Sequence, residues 1–159
     1  MNNPDASTLL YSRHGPKWRI DVHRAEDVFD PLAFTVFLTG YVAPDFHRSR
    51  YMELELFQTF VAGVEHARKV LPRIVGRLKP EDTPDYPNAI GSTVAQGPAF
   101  NVEIALSRRV GGSLEKMVAV YDTDDDAAPM LVATDDEIDE LCRDCSEVLA
   151  HFGIDQAAG

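Results

Sequence analysis

The sequence predicts an α+β protein in which an antiparallel sheet is covered on one face by two amphipathic helices, a two-layer sandwich. Three observations lead to this class. Apolar and polar residues alternate over several short segments, which is the period of half-buried strands. Over two longer segments, apolar residues recur at steps of three and four, as in amphipathic helices. The strands follow one another through short turns, and such connections favour antiparallel pairing.

The first half begins with predicted strands. Alternation indicates strands over 18–23 and 33–39, with a shorter candidate at 9–12. Residues 40–49 contain the turn-forming pair Pro44-Asp45 and are predicted to be a connection. Residues 1–7 are polar and are expected to fray.

The first helix is predicted over about residues 50–71, with a looser continuation to Leu78. Pro72 lies inside this pattern, and proline removes a backbone donor and clashes with the preceding turn. We therefore expect a kink or a break at Pro72. The proline-containing segment 79–88 is predicted to be a loop. The apolar stripe of the helix consists of Leu54, Phe57, Phe60, Val61, Val64, Leu71, Ile74 and Leu78.

Three further strands are predicted in the second half, at 100–106, 117–121 and 130–133. Gly111-Gly112 lies between the first two and can supply the positive φ angles of a tight hairpin. Residues 122–128 are predicted to form a second turn.

The second helix has clear start and stop signals. Thr134 and Glu137 match a capping box, and Gly153 is a natural stop. The expected apolar face consists of Ile138, Leu141, Cys142, Cys145, Val148, Leu149 and Phe152.

Length and composition indicate one globular domain over residues 1–159. A chain of 159 residues can bury about two thirds of its unfolded surface, so its core needs no metal or disulfide. No apolar run approaches the ~18 residues of a membrane span, and the first residues do not resemble a signal peptide. We expect a cytoplasmic protein without cofactor or metal.

Charge is distributed unevenly along the chain. The formal net charge is −11, yet residues 1–79 carry 11 basic and 9 acidic residues and residues 80–159 carry 4 basic and 17 acidic. The segment 122–147 holds 11 acidic residues and a single basic one, Arg143. Such a field repels nucleic acid and anionic membranes and attracts basic proteins.

Two interpretations of the acidic segment remain open. The carboxylates can simply be a solvated surface that keeps the protein soluble and caps a helix. Alternatively they form a docking surface for a basic protein. On that hypothesis the protein is a non-enzymatic immunity-like or inhibitor-like binder, either a monomer or a homodimer. Its predicted partner-binding residues are Asp122, Asp124, Asp125, Asp126, Asp135, Asp136, Asp139 and Glu140.

Two segments partly match motifs for redox or metal chemistry, but each lacks features that the chemistry requires. Cys142 and Cys145 have CxxC spacing, but they lie inside an acidic helix, where a thiol pKa rises rather than falls, and a buried structural role is predicted. A zinc site would need two further ligands. Residues 122–126 resemble the start of a calcium-binding loop. Ala127 stands where the loop requires glycine, and Ala133 stands where it requires a bidentate glutamate.

Other functions remain as alternatives. One is an acidic secretion or assembly chaperone, for which the 50–71 helix should expose an apolar patch. Another is a small enzyme with a cleft near His23, His47 or His66. No nucleophile, phosphate-loop or dinucleotide motif occurs. The cluster of His47, Arg48, Arg50 and Tyr51 suits either an anion at a helix N-terminus or an ordinary surface.

A strand meander that leads into an acidic-capped helix is predicted in the second half of the chain. Its segments are Phe100–Leu106, Gly111-Gly112, Met117–Tyr121, Met130–Leu141 and Leu149–Gly153. In these segments and in the order of its elements, the chain resembles WapI-like bacterial immunity proteins, and helix 54–71 would correspond to the central helix of that family. The resemblance implies a cytoplasmic protein that binds a cognate toxin and blocks it without catalysis.

Overall fold

The structure is a computed structural model that describes residues 8–24, 34–43, 46–77, 80–85, 88–97, 99–125 and 127–152. Within these ranges the chain forms eight strands and two long helices. The predicted fraying of residues 1–7, the turn at Pro44-Asp45, Asp126 and the stop at Gly153 lie outside the described residues.

The first four strands form one antiparallel sheet in the order in which they occur along the chain. Its inner face is apolar because alternate residues of the second and third strands point the same way: Trp18, Ile20 and Val22, with Val36 and Leu38, are fully buried. The strands are β1 (Thr8–His14), β2 (Trp18–Arg24), β3 (Phe34–Ala43) and β4 (Phe46–Glu53).

The last four strands form a second antiparallel meander. Val102, Ile104 and Leu106 face the core and alternate with partly exposed residues. Gly111 and Gly112 turn the predicted hairpin, each with a positive φ angle. The strands are β5 (Ile90–Gln96), β6 (Phe100–Arg108), β7 (Leu114–Asp122) and β8 (Leu131–Thr134).

Two helices complete the fold, α1 (Leu54–Arg77) and α2 (Ile138–His151). The predicted apolar stripe of α1 is buried at Phe57, Phe60 and Val64. Pro72 is exposed, and the helix continues through it without the predicted break. Within the described residues, neither helix is long and apolar enough to cross a membrane.

The element order is a meander of four strands and a helix, and it occurs twice. Each helix crosses to the other meander: α1 contacts β5 and β6 as well as β3 and β4, and α2 contacts β1 and β2. One hydrophobic core therefore draws on both sheets. The sheets approach closely at Gly40, where a Cβ atom would lie 1.9 Å from the carbonyl oxygen of Met130.

The α+β class and the antiparallel pairing are confirmed. The strands form two sheets rather than one, and the sequence did not indicate β4 or β5. The predicted connection 40–49 consists largely of the ends of β3 and β4. Its alternation was hidden because the inward-facing residues of β4 include Arg48 and Arg50, so polar residues occupy both faces.

Candidate functional site

Part of the acidic segment lies against the first sheet. Arg50 Nη1 donates to Asp122 Oδ1 at 2.6 Å and lies 3.7 Å from Asp124 Oδ2. Arg48 pairs with Asp125 and also donates to the carbonyl oxygen of Ala128. The two arginines of β4 therefore hold the turn between β7 and β8 from the side.

These arginines are well sheltered. The side chains of Arg48 and Arg50 are 15% and 22% exposed, and the Arg50 guanidinium lies 5.2 Å from the centre of the Phe100 ring. Asp122 is itself only 19% exposed. Sheltered pairs are screened less by salt than surface pairs, so the charge of Asp122 is largely compensated within the molecule. The side chain of Asp125 is 67% exposed, so its pair with Arg48 is more accessible to solvent.

The start of α2 is more open. Asp135 pairs with Lys116 at 3.3 Å, and Asp139 lies 3.4 Å from Arg68. Asp136 and Glu140 are exposed, and the structure shows no ion pair for either of them among the residues it describes. Exposed pairs such as Asp139–Arg68 are weak and exchange readily with water. We call Asp135, Asp136, Asp139 and Glu140 the acidic helix start.

The predicted capping box is present in part. Thr134 donates to Glu137 Oε1 through its backbone N–H and its hydroxyl, each at 3.0 Å. Glu137 is the residue that precedes α2, and its side chain forms no capping hydrogen bond to the first turn of that helix. Burial opposes ionisation of Glu137, but hydrogen bonds from Lys17 and Thr134 outweigh it and lower its pKa.

Asp144 is a buried carboxylate that links α2 to the first sheet. It accepts a hydrogen bond from Trp18 Nε1 at 2.8 Å and from Arg13 Nη2 at 3.1 Å. Arg13 also lies 2.5 Å from Glu147. The hydrogen bond to Asp144 is the main reason why the pKa of Arg13 is raised. Nothing in the sequence indicates this role, because Asp144 belongs to the same acidic segment as the exposed residues before it and cannot be told apart from them by its residue type.

Both cysteines lie in the core with free thiols. Burial, followed by the nearby Glu65 carboxylate, raises the pKa of Cys142 to about 12, and burial raises that of Cys145 well above its usual value. The prediction of buried cysteines is confirmed. Among the described residues, no three metal-ligating side chains converge.

Among the described residues, the cleft between the two helices is lined by none of His23, His47 and His66. His23 and His47 lie on strands of the first sheet and His66 on α1, while the cleft between the helices is lined by Glu65, Arg68, Asp139, Cys142, Arg143 and Ser146. His14 Nε2 lies 3.0 Å from Ser12 Oγ.

The Ser12 hydroxyl donates a hydrogen bond to Asp21 at 2.5 Å. In a catalytic triad the carboxylate would instead accept a hydrogen bond from the histidine, so this arrangement is not a triad.

Two of the alternatives lose support: the anion site at residues 47–51 and the chaperone patch on the first helix. The cluster at 47–51 does not converge, because in a strand Arg48 and Arg50 face inward while His47 and Tyr51 face outward. The apolar face of the 50–71 helix is buried, so the exposed patch expected of a chaperone does not lie there.

Exposed aromatic residues lie instead on the outer face of the first sheet, away from the helices. Tyr41 and Tyr51 are 41% and 61% exposed, and Phe37 stacks on Tyr51 with ring centres 4.3 Å apart. Sequence reasoning missed this surface. The signal was the second face of β3, where Thr35, Phe37, Thr39 and Tyr41 alternate with the buried residues. The paired residues of β4 are Ser49, Tyr51 and His47.

The chain is an α+β protein with two four-stranded antiparallel meanders and two helices, each of which contacts both meanders. No protein-family model matches the chain. A comparison with curated proteins likewise finds no match.

Proposed function

We propose that this chain is a non-enzymatic binding protein for a basic protein partner, immunity-like or inhibitor-like. A toxin domain that the chain neutralises is the kind of partner that the resemblance to WapI-like proteins suggests. The observation that carries the proposal is the acidic helix start, where Asp136 and Glu140 are exposed and unpaired among the described residues.

The net charge of −11 supports the proposal independently of which pairs form. Internal ion pairs redistribute charge but leave the total unchanged, so the molecule still attracts a cationic surface at a distance. Complementary charge mainly raises the association rate and affects specificity. The same field disfavours nucleic acid and anionic lipid.

The ion pairs within the molecule reduce the number of carboxylates that are available to a partner. Asp122, Asp124 and Asp125 contact arginines of β4, and a partner would have to displace those contacts. The paired residues at the acidic helix start, Asp135 and Asp139, have more open partners. We therefore assign partner contact chiefly to the start of α2 and a supporting role to the turn.

The experiment compares two double charge reversals with the wild type. Asp136→Lys/Glu140→Lys removes the unpaired carboxylates of the site. Glu81→Lys/Asp82→Lys is the matched control, because these residues are also exposed and acidic and the net charge changes equally. Each protein is immobilised and used to retain partners from native cell extract at about 50 mM and about 500 mM salt.

We expect the wild type and the control to retain a basic protein at low salt and to release it at high salt. The site variant should retain much less, and its association rate with the purified partner should fall by about tenfold or more. Equal retention by both variants, or binding that does not change with salt, would refute the proposal.

A further inference from the structure

The outer face of the first sheet carries aromatic side chains on β3 and on the edge strand β4. Cross-strand pairing places Phe37 beside Tyr51 and Tyr41 beside His47. Thr39 and Ser49 lie between these pairs, their hydroxyl oxygens 3.0 Å apart. Tyrosine and phenylalanine are enriched at protein interfaces because they bury much area with few rotatable bonds.

This face carries almost no uncompensated charge. Arg19 donates to Asp21 at 2.9 Å on the same face, and Asp21 is nearly buried. Glu53 lies at the end of β4 and forms no ion pair with the residues that the structure describes. A basic partner would therefore gain less here than at the acidic helix start.

A surface of this kind suits a second copy of the chain. Two molecules of net charge −11 repel each other over most of their surfaces. They can approach closely where charge is compensated, and a two-fold axis places the same aromatic patch on both sides.

The size of the face is sufficient for a modest interface. Four strands about 4.8 Å apart, with about seven residues each at about 3.4 Å, cover roughly 450 Å² as a flat rectangle. Projecting aromatic rings add to this area. Two copies would therefore bury on the order of 1,000 Å², which is near the lower limit for a specific interface. We propose that the chain forms a symmetric homodimer, in a concentration-dependent equilibrium, through the outer face of the first sheet.

The test is sedimentation equilibrium of the purified chain at low and high salt. Salt screens the repulsion between like-charged copies, so the dimer should become more populated at about 500 mM than at about 50 mM. This is opposite to the expected effect of salt on binding of a basic partner. The two proposals can therefore fail separately.

Variants locate the interface. Tyr51→Glu places a charge among the aromatic side chains of β3 and β4 and should weaken dimerisation by about tenfold or more. Val110→Glu is the matched control, because Val110 is fully exposed at the hairpin between β6 and β7, and it should dimerise like the wild type. If Tyr51→Glu lowers the helical or strand signal in circular dichroism, Tyr41→Glu takes its place.

A wild-type chain that stays monomeric at about 200 µM in high salt would overturn the proposal. So would a folded face variant that dimerises as strongly as the wild type.

Discussion

At the scale of single residues, Asp144 is a buried carboxylate that we expect to contribute to stability. Its carboxylate is nearly buried and satisfies the indole N–H of Trp18, which is also buried. Asp144→Ala would leave that donor without a partner, which costs about 1–3 kcal/mol of unfolding free energy. Urea denaturation measures this loss. Glu147→Ala is the control, because the Arg13–Glu147 pair is exposed and should change stability by less than about 1 kcal/mol. Equal losses for both variants would contradict the assignment.

The cysteines should be unreactive in the native protein. Thiol reagents attack the thiolate, and the pKa of Cys142 is raised to about 12 by burial. Because the pKa is raised, the thiol stays protonated as pH increases through 7, 8 and 9, where an ordinary cysteine ionises. We expect slow labelling of both thiols in the folded chain over this range and rapid labelling of two thiols in denaturant. Rapid labelling of the native chain at pH 7 would show that the helix opens readily.

At the scale of elements, the turn between β7 and β8 depends on Arg50. Its guanidinium joins Asp122 and lies against the Phe100 ring. Arg50→Ala should destabilise the chain by about 1–3 kcal/mol through the combined loss of the ion pair and the cation–π contact. Arg73→Ala, at an exposed position on α1, should change stability by about 0.5 kcal/mol or less. A double-mutant cycle with Asp122→Ala measures the pair by itself, and additive effects would mean that the contact contributes nothing.

Pro72 is a second test at this scale. The helix α1 runs through it, so the chain bears the cost of a missing backbone hydrogen bond, up to about 3 kcal/mol in a helix interior. Since the residue is exposed, Pro72→Ala should leave the core unchanged and raise the unfolding free energy by about 1–3 kcal/mol. The same urea experiment measures it. A loss of stability would mean that the proline restricts the unfolded chain more than it strains the helix.

The elements that the sequence predicted are those with apolar periodicity. The strands β2 and β6 follow from alternation and both helices from steps of three and four, while β3 and β7 follow from short runs rich in apolar and β-branched residues. The strand β5 has little such pattern, because five of its seven residues are exposed at a sheet edge. Ion pairs such as Arg50–Asp122 join residues 72 positions apart, and no local pattern encodes them. For this reason the acidic segment was visible in the sequence, while its neutralising partners were not.

At the scale of the whole molecule, the two halves complete one another. The basic residues of the first half contact acidic residues of the second at several places, including Arg13–Asp144, Lys17–Glu137 and Arg48–Asp125. Each helix also packs on the meander that it does not directly follow in sequence: α1 contacts the second meander and α2 contacts the first. Each meander is therefore covered in part by both helices. Part of the charge that is unevenly distributed along the chain is therefore paired in space, while Asp136 and Glu140 at the start of α2 stay exposed.

This exchange predicts that the chain unfolds as one cooperative unit. Trp18 is the single tryptophan and is buried in the first sheet against α2, so its fluorescence reports on contacts between the halves. Far-UV circular dichroism reports on all elements together. The two urea transitions should coincide, as two-state unfolding requires, and a fragment of residues 1–79 should not fold because α1 then lacks β5 and β6. Fluorescence that changes well before circular dichroism, or a stably folded fragment, would show that the halves are independent domains joined by the segment 79–88.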